Sequence, residues 1–176
     1  MSQIAKHTLR FFLFFLVQVL VLNQIELGMG IQIMIYPLFI LFLPVEMGVF
    51  SLMLIAFALG LSIDALSNTF GLHTSSLLAV AYFRPLIYKL FAPRDGYDAL
   101  LETNIFTLGT GWFLKTFGLL IIIHHFWFFM LEMFKLNEIV FVLQKTGLSL
   151  VVSVLICILL QYLFLRKRKS NEIWFA

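Results

Sequence analysis

Charge is what this chain has least of. Lys, Arg, Asp and Glu make up 12% of its 176 residues, where roughly a quarter is usual in a soluble domain. With 62% hydrophobic residues and a mean hydropathy of +1.03, too little polar surface remains to cover a water-soluble fold. Cysteine is represented by Cys157 alone. No intrachain disulfide is possible, and its place in an apolar run reads as a small packing residue. Catalytic motifs are missing too. No phosphate loop, metalloprotease helix or cysteine-based motif occurs, and Ser62, Ser67, Ser75 and Ser76 have no glycine elbow around them. Neither an enzyme nor a cofactor site is expected.

What is there is a series of apolar runs. About 20 residues cross the hydrocarbon of a bilayer as a helix. The runs predict six spans, at about 9–22, 30–43, 49–64, 77–91, 112–133 and 148–165, in a single integral membrane domain over 1–176. Lys6 and Arg10 before Phe11–Leu22 resemble a signal peptide, but Asn23-Gln24-Ile25-Glu26 offers no small-residue cleavage site. The first run is therefore read as a retained span. Pro37 inside the second run predicts a kinked helix.

The basic residues give an orientation. With the N-terminus in the cytoplasm, Lys6, Arg10, Arg84, Lys89, Arg94, Lys115 and the tail Arg166–Lys169 fall at cytoplasmic ends, and only Lys135 and Lys145 fall outside. The positive-inside rule then places both termini in the cytoplasm. The same basic residues face lipid headgroups, so the pI of about 9.1 is no nucleic-acid signal. Between the fourth and fifth spans, Tyr97, Leu100, Leu101 and Ile105 alternate at helical spacing with Asp98, Glu102 and Asn104. This pattern predicts a short interfacial helix over 97–106, as a connector or a docking surface.

Each ionisable group inside the apolar runs asks for an explanation, because burying it in lipid is costly. Ala56, Gly60 and Asp64 recur every four residues, a small-residue packing face that brings a carboxylate against protein. Asn68 continues the stripe if the helix persists, and Gly71 and His73 follow in the loop. Two readings stand: a carboxylate that caps and fixes the turn, the stronger, or a polar cluster that binds a ligand or a partner helix. Arg84 beside Pro85 reaches either a freed carbonyl or, as the favoured reading, the headgroups by snorkelling. His124 and His125 point about 100° apart on a helix and cannot grip one metal together. They are expected to hydrogen-bond to a neighbouring helix.

Several of these residues, taken in order, resemble a known family. Leu20-Val21-Leu22-Asn23, the Pro37 run ending at Leu43-Pro44, and Gly60-Leu61-Ser62-Ile63-Asp64-Ala65-Leu66-Ser67-Asn68-Thr69-Phe70-Gly71-Leu72-His73 come first. Arg84-Pro85, Pro93-Arg94-Asp95-Gly96-Tyr97, Gly111-Trp112-Phe113-Leu114-Lys115 and His124-His125 follow. Over about 10–165 the chain resembles the MreD family of rod shape-determining proteins, in its Bacteroidetes form. The Asp64–His73 block with Pro-Arg-Asp-Gly carries most of the specificity. The resemblance implies a six-helix membrane bundle like the substrate-binding subunit of energy-coupling-factor transporters. It also implies a non-catalytic scaffold subunit of the elongation machinery in the bacterial inner membrane. Its implied partners are MreC, RodA, a class B penicillin-binding protein and, directly or indirectly, MreB, alongside membrane lipids. The alternative expectation is a small-molecule or lipid-binding membrane transporter subunit.

Overall fold

The computed structural model describes residues 3–25, 27–98 and 102–165. Among these, every regular element is helical: α1 (Gln3–Leu20), α2 (Pro37–Phe42), α3 (Val49–Ser67), α4 (Leu72–Leu90), α5 (Thr110–Met133) and α6 (Ile139–Phe164). Short 3-10 turns follow α1 at Leu22–Gln24 and precede α6 at Leu136–Glu138. Four helices are long and apolar enough to cross a membrane: α1 with its following turn, α3, α5 and α6. This is the make-up of a multi-pass membrane protein. α4 is as long as α3, but His73, Arg84 and Lys89 make it more polar, and it packs between α3 and α5.

Helix ends depart from the apolar runs for a physical reason. A run stops at the first polar residue, whereas a helix stops where its backbone hydrogen bonds stop. α4 thus begins at Leu72 and α6 at Ile139, several residues before the hydropathy pattern suggests. Lys145 consequently lies in α6 rather than in an outer loop. Its ammonium meets Glu132 Oε2 at 2.5 Å and sits 4.8 Å from the Phe129 ring centroid. The outward faces are apolar. Phe50, Leu54, Phe57 and Leu61 on α3, and Val151, Leu155 and Leu159 on α6, form exposed stripes at helical spacing. Such faces suit lipid or another helix.

The second run is the largest departure from expectation. Only Pro37–Phe42 is helical, and residues 31–35 have no regular structure, although every residue over 33–43 is buried. Non-helical backbone at membrane depth is tolerated only where protein satisfies its amides and carbonyls. Here side chains do so. Ser149 Oγ accepts from Gln32 N and Ser153 Oγ from Met34 N, both at 3.0 Å. Gln18 of α1 donates to Ile33 O at 2.8 Å and accepts from Ile35 N at 3.0 Å. The spacing follows from geometry. Two residues of extended chain advance about 6.6 Å and four residues of helix 6.0 Å, so alternate amides meet hydroxyls placed four apart on α6. Replacing both Ser149 and Ser153 with Ala should cost about 2–4 kcal/mol by stranding one buried and one partly buried amide. Thermal unfolding in detergent measures it, and a change within error would contradict this role.

The described part of 97–106 is loop and turn, not helix. Leu100 and Leu101, which carry much of the expected periodicity, lie outside the described residues. Specific polar ties account for the irregular path of the rest. Asn104 Oδ1 accepts from Phe106 N and Thr107 N, an Asx-type turn that competes with helix. Gln161 of α6 accepts from Ile105 N at 3.1 Å. Glu102 forms a two-pronged pair with Arg10 at 2.9 and 3.0 Å, and Lys6 contacts the same carboxylate. Partial burial pushes this carboxyl up, but the hydrogen bonds from Arg10 and Lys6 outweigh it and leave the pKa below its ordinary 4.5. A group with a depressed folded pKa contributes stability above its unfolded value and loses it as pH falls through the folded one. Glu102→Gln should therefore remove part of the acid-side loss of stability seen in the wild type. An unchanged acid limb in pH-dependent melting would contradict this.

Candidate functional site

The α3–α4 turn is built around Asp64. Its Oδ1 accepts from His73 N at 3.0 Å and Thr69 Oγ1 at 2.6 Å, and its Oδ2 from Thr74 N at 2.8 Å and Thr74 Oγ1 at 2.5 Å. A carboxylate on the last turn of α3 thus satisfies amides that the first turn of α4 leaves unpaired. Asn68 and Gly71 supply the reversal with φ of 57° and 89°, and glycine takes that conformation without strain. Asn68 itself is exposed, away from the buried cluster. Gly60 sets the approach of the two helices: a Cβ there would lie 2.5 Å from Thr74 Cα. Ala56 is fully buried on the same face.

Arg84 is buried, 1% exposed, and does not snorkel. Its guanidinium turns inward over the Tyr88 ring, 4.4 Å from the centroid, and donates to the carbonyls of Leu41, Leu43 and Pro44 at the end of α2. Inward is favourable because α2 ends in the interior with its last carbonyls unpaired, and a cation suits that end of a helix. Tyr88 and Thr103 add donors to Leu41 O at 2.8 and 2.7 Å.

His73, His124 and His125 belong to one buried chain of hydrogen bonds, joined by Tyr36. The Tyr36 hydroxyl lies 2.8 Å from His73 Nδ1 and 2.6 Å from His124 Nε2. His124 Nε2 is also 3.1 Å from Ser76 Oγ, and its Nδ1 faces His125 Nδ1 at 3.4 Å. His125 Nδ1 is 3.0 Å from Ile121 O, and its Nε2 is 3.2 Å from Ser153 Oγ. The termini of this chain fix the protons for neutral rings. Ile121 O only accepts, so His125 Nδ1 carries the hydrogen. His124 Nδ1, facing that N–H, is then the acceptor, and His124 donates from Nε2. Tyr36 receives that hydrogen bond and donates its own to His73 Nδ1. His73 therefore holds its proton on Nε2, an assignment that rests on the network.

Beside His73 lies a partly open cavity of about 440 Å³, lined by residues of the 22–25 and 27–33 stretches and by Ser67 and Thr69. Asn23, Gln32, Ser67, Thr69 and His73 supply its polar lining. Among the described residues no group of three or more His, Cys, Asp and Glu side chains is placed to hold a metal. The structure thus brings together Asp64 and His73, and joins His73 to His124 and His125, while Arg84 serves a separate helix end. Tyr36, Gln18, Ser149 and Ser153 belong to the same frame and were not singled out by sequence. A signal for two of them was present: Lys145, Ser149, Ser153, Cys157 and Gln161 recur every four residues and are all buried. No protein-family model, curated protein or solved structure matches this chain.

Proposed function

We propose that this chain is a non-catalytic scaffold subunit of the MreD kind, acting in the inner-membrane machinery for cell elongation. In this reading it links MreC and MreB to the peptidoglycan synthases RodA and a class B penicillin-binding protein. All six apolar segments traverse the bilayer, the second as a broken crossing, and both termini are cytoplasmic. The observation that carries the reading is where the interior's polar groups are spent. Asp64 is committed to amides and hydroxyls, Arg84 to carbonyls, and His124 and His125 to neighbouring side chains and backbone. Groups engaged in this way hold a frame together and leave the exposed helix faces as the means of interaction. The ordered resemblance over about 10–165 supplies the identity of the partners.

The test is a tagged pull-down from native membranes in mild detergent, with mass spectrometry of the recovered proteins. MreC together with a RodA and penicillin-binding-protein pair is the expected recovery. An ATPase module in their place would favour the transporter-subunit alternative.

A further inference from the structure

Among the described residues, four buried side-chain polar atoms have no hydrogen-bond partner: His7 Nδ1, Arg84 Nε, Thr116 Oγ1 and Thr146 Oγ1. Two of them share one level of one helix contact. α4 and α5 run antiparallel, with Ser76 Oγ 3.1 Å from His124 Nε2 at one place and the Tyr88 and Trp112 ring centroids 5.5 Å apart at another. The step from Ser76 to Tyr88 equals that from Trp112 to His124. Arg84, one turn before Tyr88, therefore comes level with Thr116, one turn after Trp112. Arg84 is 1% exposed and Thr116 0%. The capping of α2 uses only the terminal nitrogens of Arg84: Nη1 donates to Pro44 O, and Nη2 to the carbonyls of Leu41, Leu43 and Pro44. The Nε–H is left over, and a buried N–H is costly to leave unmade. The Thr116 hydroxyl can both accept and donate. The two groups lie at one level of the interface, yet neither serves the other.

We infer that a single internal water molecule is bound between Arg84 and Thr116, accepting from the Nε–H and sharing a hydrogen bond with the Thr116 hydroxyl. Buried polar groups that cannot reach each other are bridged in this way, and one water needs only two to four such partners. An ion fits less well. The guanidinium repels a cation, and an anion would face the carbonyl oxygens of Leu41, Leu43 and Pro44 that converge on the same guanidinium. A neutral molecule meets neither repulsion. The water ties the cap on α2 to α5, so that α2, α4 and α5 are held at one point. The site does not depend on the scaffold reading, and its failure would leave that reading untouched.

The experiment uses the full chain in detergent, with arginine labelled by nitrogen-15. Loss of one Nε–H resonance in Arg84→Lys assigns that of Arg84. The expected result is a cross peak between this proton and water, of opposite sign in laboratory-frame and rotating-frame Overhauser spectra, as a long-lived bound water gives. Equal signs would mean exchange with bulk solvent, and no cross peak would mean a site without water; either overturns the inference. Thr116→Val supplies an independent readout, because it keeps the shape and removes the hydroxyl. With a bridging water, valine loses the bridge, and the folded-to-unfolded ratio should fall about tenfold, with Thr116→Ser restoring most of it. With an unpaired hydroxyl, valine removes a buried polar group that nothing satisfies, and the thermal midpoint should rise. A rise or an unchanged midpoint overturns the inference. So does a midpoint that responds to chloride against gluconate in the wild type and not in Thr116→Val, which would put an anion in the site.

Discussion

Arg84→Met should destabilise the protein by about 3 kcal/mol or more and lower its level in the membrane. Methionine fills much of the same volume, so the loss reports on hydrogen bonding and charge rather than on a cavity. Leu41 O would keep Tyr88 and Thr103, and Pro44 O would keep the amide of Met47. Leu43 O would be left without the guanidinium, its closest partner, at the buried end of α2. Arg84→Lys should fall between the two, because an ammonium restores the charge but not the planar fork that reaches several carbonyls at once. The comparison is made by thermal unfolding in detergent with intrinsic fluorescence. A Met variant as stable as the wild type would show that α2 ends where water reaches it.

Asp64→Leu should rank with it. Four hydrogen bonds converge on this carboxylate, and two come from amides at the start of α4. Hydrogen bonds to charged groups contribute about 1.5–3 kcal/mol each, but the four share one side chain and do not add. A net loss of about 3–5 kcal/mol is expected, the range for stripping one member from a buried charged cluster. Asp64→Asn should lie between, since one of its two acceptor positions becomes an NH₂ facing donors. Lys145→Leu is the useful comparison. It breaks an ion pair whose other member, Glu132, has a side chain 28% exposed and still receives a hydrogen bond from Gln32. That loss should be about 1 kcal/mol. Equal membrane levels and melting points for Asp64→Leu and Lys145→Leu would contradict the capping role.

The parts of this structure that were legible in the sequence are those with a local signature. The i, i+4 recurrence of Ala56, Gly60 and Asp64 reports a close helix contact because a helix repeats nearly every four residues. Asp64 just before Asn68 and Gly71 reports a turn because those residue types tolerate left-handed backbone. The fate of Arg84 was not legible, because snorkelling and inward capping require the same residue beside the same proline. What decides between them is the end of α2, some forty residues away in sequence. The non-helical stretch at 31–36 was hidden for a related reason. Ile31 to Tyr36 is apolar enough to read as helix, and the groups that release it from helix are Gln18, Ser149 and Ser153 on other segments. Tyr36 looks like one aromatic among many until the fold places it between two histidines.

All of this rests on a polar frame that holds non-helical backbone in a dry interior. Residue-resolved hydrogen–deuterium exchange on the purified chain tests it most directly, at the amides of Gln32, Met34 and Ile35. Bonded to Ser149, Ser153 and Gln18, these amides should exchange about as slowly as those in the middle of α5. Exchange as fast as in the exposed turn at Pro93–Gly96 would mean that the segment is open to water and the frame is not formed.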